Sequence, residues 1–247
     1  MEISQYLEAL RANAALMVDA ARRAGADASV PTCPEWTVAD LAAHQGRVFR
    51  WMSVMVETNS AEFIHPKTVG EVVGGEDPID WLAAGAERAV DVLQKADPDG
   101  PVWNWLDRGP GPARFWHRRM AHEVSIHRAD AESAAGLAEP TPVDPAELAS
   151  DGVDEFLQFL PMRTGEEGYP ELAGSWHFHT TDVPGEWVVV FDGGGVTVTR
   201  EHAKADVAVR GAASDLELFL YNRRGDAGLE VFGDPARLAA WRDRIRF

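Results

Sequence analysis

The strongest constraint on the fold is a change of period along the chain. Residues 1–160 carry apolar residues at helical spacing punctuated by helix start signals, whereas residues 175–232 switch to short, β-rich alternating runs separated by turns. A chain that changes period in this way is expected to form two domains of different class, a helical bundle over residues 1–160 and an α+β domain over residues 175–247. The join is expected near residues 160–174, where Pro161-Met162-Arg163-Thr164-Gly165-Glu166-Glu167-Gly168-Tyr169-Pro170 has the composition of a linker or long loop.

The first helix is expected over about residues 4–23, with Tyr6, Leu10, Leu16 and Met17 supplying the apolar face and Gly25 the stop. A second starts at Thr37, whose hydroxyl can accept an amide hydrogen bond, with Asp40 favouring the positive helix end, and His44 lies two turns in. Asp77-Pro78 opens a third helix running to about Lys95. A fourth is expected from about Pro112 to Ala135, and Asp144-Pro145-Ala146-Glu147 opens a fifth. Helices of this length are the components of a four-helix bundle, in which sites are built from inward-facing side chains. Further on, residues 175–181, 186–191, 196–200 and 206–209 read as strands, with Pro184-Gly185 and Gly193-Gly194-Gly195 as turns. Ser214-Asp215-Leu216-Glu217 reads as a capping box before a helix reaching Asn222, residues 229–232 as another strand, and Asp234-Pro235 as the start of a final helix.

The net charge of −17 repels phosphate backbones and anionic membranes, so the chain is expected to bind neither nucleic acid nor membrane. The lone cysteine, Cys33, excludes an internal disulfide framework and fits a reducing compartment. With no signal-peptide pattern and no apolar run of about 20 residues, a soluble cytoplasmic protein is expected, a monomer or weak homo-oligomer.

Chemistry concentrates in the fourth helix. At roughly 100° per residue, Glu123 and His127 fall about 40° apart and can grip one ion side by side. His122 and His127, about 140° divergent, do not make the two-histidine protease motif, and His122 is expected to pack or meet solvent. His44 is the best candidate for a third ligand; two imidazoles and a carboxylate suit a borderline metal such as zinc. The competing reading is a helix-face hydrogen bond between Glu123 and His127, with His44 a partly buried bundle residue. Asp130, about 20° around the helix from Glu123, can act as an outer hydrogen-bond acceptor, although a surface helix charge is the stronger expectation. Arg119, four residues before Glu123, can hold that carboxylate, bind an anionic substrate or form a helix-face salt bridge. Cys33 reads as a packed thiol. Trp103, Trp105, Phe115 and Trp116 flank Gly109-Pro110-Gly111-Pro112 and either pack in the core or roof a pocket.

Two segments carry a family resemblance: Pro31-Thr32-Cys33-Pro34-Glu35-Trp36-Thr37-Val38-Ala39-Asp40-Leu41-Ala42-Ala43-His44, and Arg119-Met120-Ala121-His122-Glu123-Val124-Ser125-Ile126-His127-Arg128-Ala129-Asp130-Ala131. Together they resemble the maleylpyruvate isomerase family of mycothiol-dependent enzymes, and the pattern over residues 186–247 resembles that family's C-terminal domain. The resemblance implies a DinB-like four-helix bundle followed by a sterol-carrier-like α/β domain. It also implies a divalent metal, usually Zn2+, held by His44, Glu123 and His127, with mycothiol as co-substrate. A thiol on such a cation loses its proton and becomes a nucleophile without help from a protein cysteine. In the isomerase reaction the thiolate adds to a cis alkene, permits rotation and departs; in relatives it is transferred to a small electrophile. Arg223 falls where relatives often carry an arginine at a helix end, able to pair with a substrate carboxylate or simply to complement the helix terminus. The expected function is therefore a metal- and thiol-dependent isomerase or S-transferase. A metal-dependent hydrolase and a non-catalytic small-ligand-binding protein stand as alternatives.

Overall fold

The structure, a computed structural model, describes residues 1–72, 74–163 and 169–245. The chain divides into two compact units, Met1–Thr141 and Pro142–Phe247.

The first unit is a bundle of four long helices, α1 (Ile3–Ala24), α2 (Val38–Glu57), α3 (Pro78–Lys95) and α4 (Arg114–Ala134). Their starts follow the local chemistry. The Thr37 hydroxyl accepts from the Asp40 amide at 3.2 Å while the Asp40 carboxylate accepts from the Thr37 amide at 2.9 Å, closing a reciprocal cap on α2. Asp77 accepts from the Ile79 amide at 2.7 Å ahead of Pro78. Gly25, at φ 86°, ends α1 in a conformation that a side chain would strain. α1 packs chiefly on α4, and α2 on α3, around a core that includes Leu10, Met17, Leu41, Phe49, Met52 and Trp116. Leu16, expected on the buried face of α1, points outward instead, because Ala9, Asn13 and Ala20 complete the inward stripe beside Leu10 and Met17.

Between α3 and α4 the chain forms a short antiparallel ladder, β1 (Pro101–Asn104) with β2 (Gly109–Pro112). This delivers Trp103, Trp105, Phe115 and Trp116 into one aromatic cluster with Trp51, the Trp105 ring stacked on Trp51 and edge to face with Trp116 at 5.2 Å. These aromatics pack against the bundle core.

The second unit begins with α5 (Ala146–Arg163) and continues through β3 (Gly174–Thr180), β4 (Glu186–Phe191), β5 (Val196–Thr199), β6 (Val207–Gly211), α6 (Ala213–Leu220), β7 (Glu230–Phe232) and α7 (Pro235–Arg244). The sheet order is β5-β4-β3-β6-β7, with β3 and β6 parallel and every other neighbour pair antiparallel. Trp176, Phe178 and Trp241 form its centre, the Trp241 ring lying 5.0 Å from Trp176 and 4.9 Å from Phe178.

Two expectations are corrected. The division falls after Thr141, not near residues 160–174, and α5 belongs to the second unit. Its apolar residues Val153, Phe156, Leu157 and Leu160 are fully buried, and the helix packs on α6, with Phe156 and Tyr221 rings 4.8 Å apart. The expected linker is helical as far as Arg163, with Pro161 inside the helix, while residues 164–168 lie outside those described. Second, Ser214 is not a helix cap. It sits inside α6, and its hydroxyl accepts from the Val143 amide at 2.7 Å. Among the described residues, no helix is long and apolar enough to cross a membrane.

Candidate metal centre

His44 comes from the second turn of α2, and Glu123 and His127 from adjacent turns of α4. The helical spacing on α4 and the packing of α2 against it bring the three together. The Glu123 Oε1 lies 3.4 Å from His44 Nε2 and 3.5 Å from His127 Nε2. One ligand atom from each of the three lies within 4.8 Å of the others. The rings of His44 and His127 meet edge to face with centroids 5.0 Å apart.

Two of the three donors are held by a neighbour outside the trio. His127 Nδ1 is 2.8 Å from Asp130 Oδ2, which leaves Nε2 turned toward Glu123 and His44. A ligating histidine is ordinarily oriented by such a bond from its other nitrogen. Asp130 is fully buried and also accepts from the Thr32 hydroxyl at 2.5 Å and the Cys33 thiol at 3.8 Å. The expected surface charge is thus an interior acceptor. Arg119 donates to Glu123 Oε2 and is about as buried as its partner. Its guanidinium holds the carboxylate, leaving Oε1 to face the two imidazoles. Burial pushes the His44 imidazole down to about 3, with the charges of His127, Arg47 and Arg119 adding to the effect and Asp130 opposing it. His44 is therefore neutral at pH 7, the form in which imidazole binds a metal.

Sequence reasoning passed over Thr32 and Trp36. The turn between residues 30 and 36 is closed by Val30 N–H donating to Trp36 C=O at 2.9 Å and Trp36 N–H to Cys33 C=O at 2.8 Å. It sets Thr32 and Cys33 on Asp130, and the Trp36 ring 5.0 Å from His44 and 6.2 Å from His127. The available signal was the dense run of Pro, Cys and Trp immediately before a capped helix. His122 is fully buried against Tyr6, with ring centroids 6.2 Å apart, so it packs rather than meeting solvent.

Arg223 lies in the second unit, just past α6. It is nearly buried, and its Nη1 donates to the Tyr221 carbonyl at 2.6 Å, in the manner of a cation at a helix C-terminus.

Comparison with known proteins follows the same division of the chain. The profile of the mycothiol maleylpyruvate isomerase N-terminal domain matches residues 7–132, and that of the MDMPI C-terminal domain matches residues 147–240. The crystal structure of the mycothiol-dependent maleylpyruvate isomerase superposes with a TM-score of 0.61 at 15% sequence identity, covering 94% of this chain and 93% of that one. A histidine-to-alanine variant of that enzyme gives the same TM-score at 14% identity. Curated sequences provided no match. The structural likeness establishes a common fold, and the two domain profiles together account for most of the chain. The protein belongs to the mycothiol-dependent maleylpyruvate isomerase family.

Proposed function

We propose that this protein is a metal- and thiol-dependent isomerase or S-transferase, using mycothiol against a small electrophilic substrate. The observation that carries this reading is the convergence of His44, Glu123 and His127 within 4.8 Å, backed by a buried Asp130 on His127. The donor set fits a borderline divalent cation such as Zn2+, which takes imidazole nitrogen and carboxylate oxygen together.

A bound divalent cation supplies one piece of chemistry, lowering the pKa of a ligating thiol so that it reacts as thiolate at neutral pH. The protein's own groups hold that arrangement. Asp130 fixes the tautomer and direction of His127, Arg119 orients Glu123, and the Trp36 indole walls the two imidazoles. Cys33 donates its S–H toward Asp130, so its sulfur is engaged in supporting that carboxylate and the reacting sulfur comes from the co-substrate. Arg119 is a positioning residue on this reading, since its guanidinium pairs with Glu123. Arg223 remains the candidate for a substrate carboxylate, by family resemblance, beside its observed bond at the α6 terminus.

Elemental analysis and a mycothiol-dependent assay with maleylpyruvate as first substrate test the proposal. Glu123→Ala and His127→Ala are each expected to empty the site and abolish thiol-dependent turnover, with circular dichroism preserved. Unaltered metal content in both variants would reject the ligand assignment, and turnover that needs no thiol would favour a hydrolase.

A further inference from the structure

A second group of ligating side chains lies wholly within the C-terminal unit and belongs to neither sequence motif. Strand alternation puts His177 and His179 on one face of β3, while Trp176 and Phe178 enter the core. The antiparallel register seats Glu186 of β4 directly across from His179. His202, just beyond β5, returns to the same place, its ring edge to face with His177 at 5.2 Å. Glu186 Oε2 is 3.3 Å from His177 Nε2 and 2.5 Å from His202 Nδ1, and Oε1 is 3.7 Å from His179 Nε2. Three of the chain's eight histidines therefore meet at a single carboxylate.

We infer that the C-terminal unit carries its own binding site for a zinc-type divalent cation, formed by His177, Glu186 and His202 with His179 alongside. Donor atoms of the first three lie within 4.8 Å of one another. Tetrahedral Zn2+ with bonds of about 2.0–2.1 Å needs donors roughly 3.3 Å apart. The separation between His177 and Glu186 already has that value. The shorter pair, Glu186 with His202, must open, and the His202 side chain is 76% exposed and has room to move. A nitrogen-rich set selects against Ca2+ and Mg2+, which prefer oxygen. The acidic chain attracts cations generally, and an ion here ties β3, β4 and the segment after β5 together.

The test uses the full chain, stripped with a chelator and titrated with Zn2+ alone by calorimetry, with metal quantified after desalting. In a His44→Ala/His127→Ala background, one Zn2+ per chain is expected to remain. Adding His202→Ala or Glu186→Gln to it is expected to weaken that binding at least 100-fold with unchanged circular dichroism. Should the double variant fail to fold, His202→Ala in the native chain gives the answer by difference, because stoichiometry falls by one. No retained Zn2+ in the folded double variant, or binding indifferent to both His202→Ala and Glu186→Gln, overturns the inference. Since the decisive measurement is made without the N-terminal ligands, its failure is separable from failure of the proposed function.

Discussion

Asp130 acts through what it holds. With no exposed surface it accepts from Thr32 and Cys33 and faces His127 Nδ1, so turning one of its oxygens into an amide NH2 sets a donor against these donors and loosens the hold on the imidazole. Asp130→Asn is expected to weaken Zn2+ binding at the N-terminal site about 10–100-fold while leaving helical content intact. Competition against a chelator of known affinity measures this, and wild-type affinity would remove Asp130 from the site. His44 gives a second residue-scale prediction. Its pKa falls from an ordinary value near 6.5 to about 3 on folding, burial being the main cause. Between those values the unfolded chain binds the proton that the folded chain refuses, so stability rises with pH through that window. The metal-stripped protein should therefore hold this contribution in full above about pH 6.5 and lose it as pH falls toward 3. Urea midpoints at pH 7.5 and 5 should differ more in the native chain than in His44→Asn, and equal differences would count against a neutral, desolvated His44.

At the scale of elements, the approach of α2 to α3 depends on glycine. A Cβ on Gly46 would lie 2.5 Å from the Trp81 ring, and one on Gly85 would lie 3.2 Å from the Gly46 carbonyl. Arg50 completes the contact by stacking 3.7 Å over Trp81 and donating to the carbonyls of Gly46 and Trp81. Gly46→Ala gains about 1 kcal/mol of helix propensity but overpacks a buried ring, which costs about 1–3 kcal/mol, so net destabilisation is expected. A lowered urea midpoint checks it, and because Gly46 lies half a turn from His44, weaker metal binding should accompany the loss. The helix starts were legible because their chemistry is local: Thr37 with Asp40, Asp77 with Pro78, and Asp234 with Pro235 each satisfy amides only two or three residues away. The pairing of Glu123 with His127 was legible for the same reason, as helical spacing fixes it. The burial of Asp130 was not, since its partners Thr32 and Cys33 are almost a hundred residues distant in sequence. Nor was the β1-β2 ladder, because Gly109-Pro110-Gly111-Pro112 has no alternation to read and two of its residues lack an amide donor. Ser214 misled because the Val143 amide, distant in sequence, takes its hydroxyl.

For the whole molecule, the position of the division decides which fragments can stand alone. The first unit finishes on a buried anchor. Arg128 pairs with Glu132 at 3.0 Å and donates to the Thr141 carbonyl at 2.9 Å, while the Thr141 amide donates to Glu132 at 2.8 Å. A chain ending at Thr141 keeps these bonds. One ending at residue 160, where composition suggested the join, keeps them too but adds most of α5 without α6. Val153, Phe156, Leu157 and Leu160, all fully buried in the intact chain, would then face water. At about 1.5–3 kcal/mol per large apolar side chain, that exposure is large enough to drive self-association. Residues 1–141 should therefore express as a soluble helical monomer that binds one Zn2+ through His44, Glu123 and His127, whereas residues 1–160 should aggregate or oligomerise. Size-exclusion chromatography of the two fragments compares them directly. If the longer fragment is the better-behaved one, α5 contributes to the bundle after all, and the division must be moved toward residue 160.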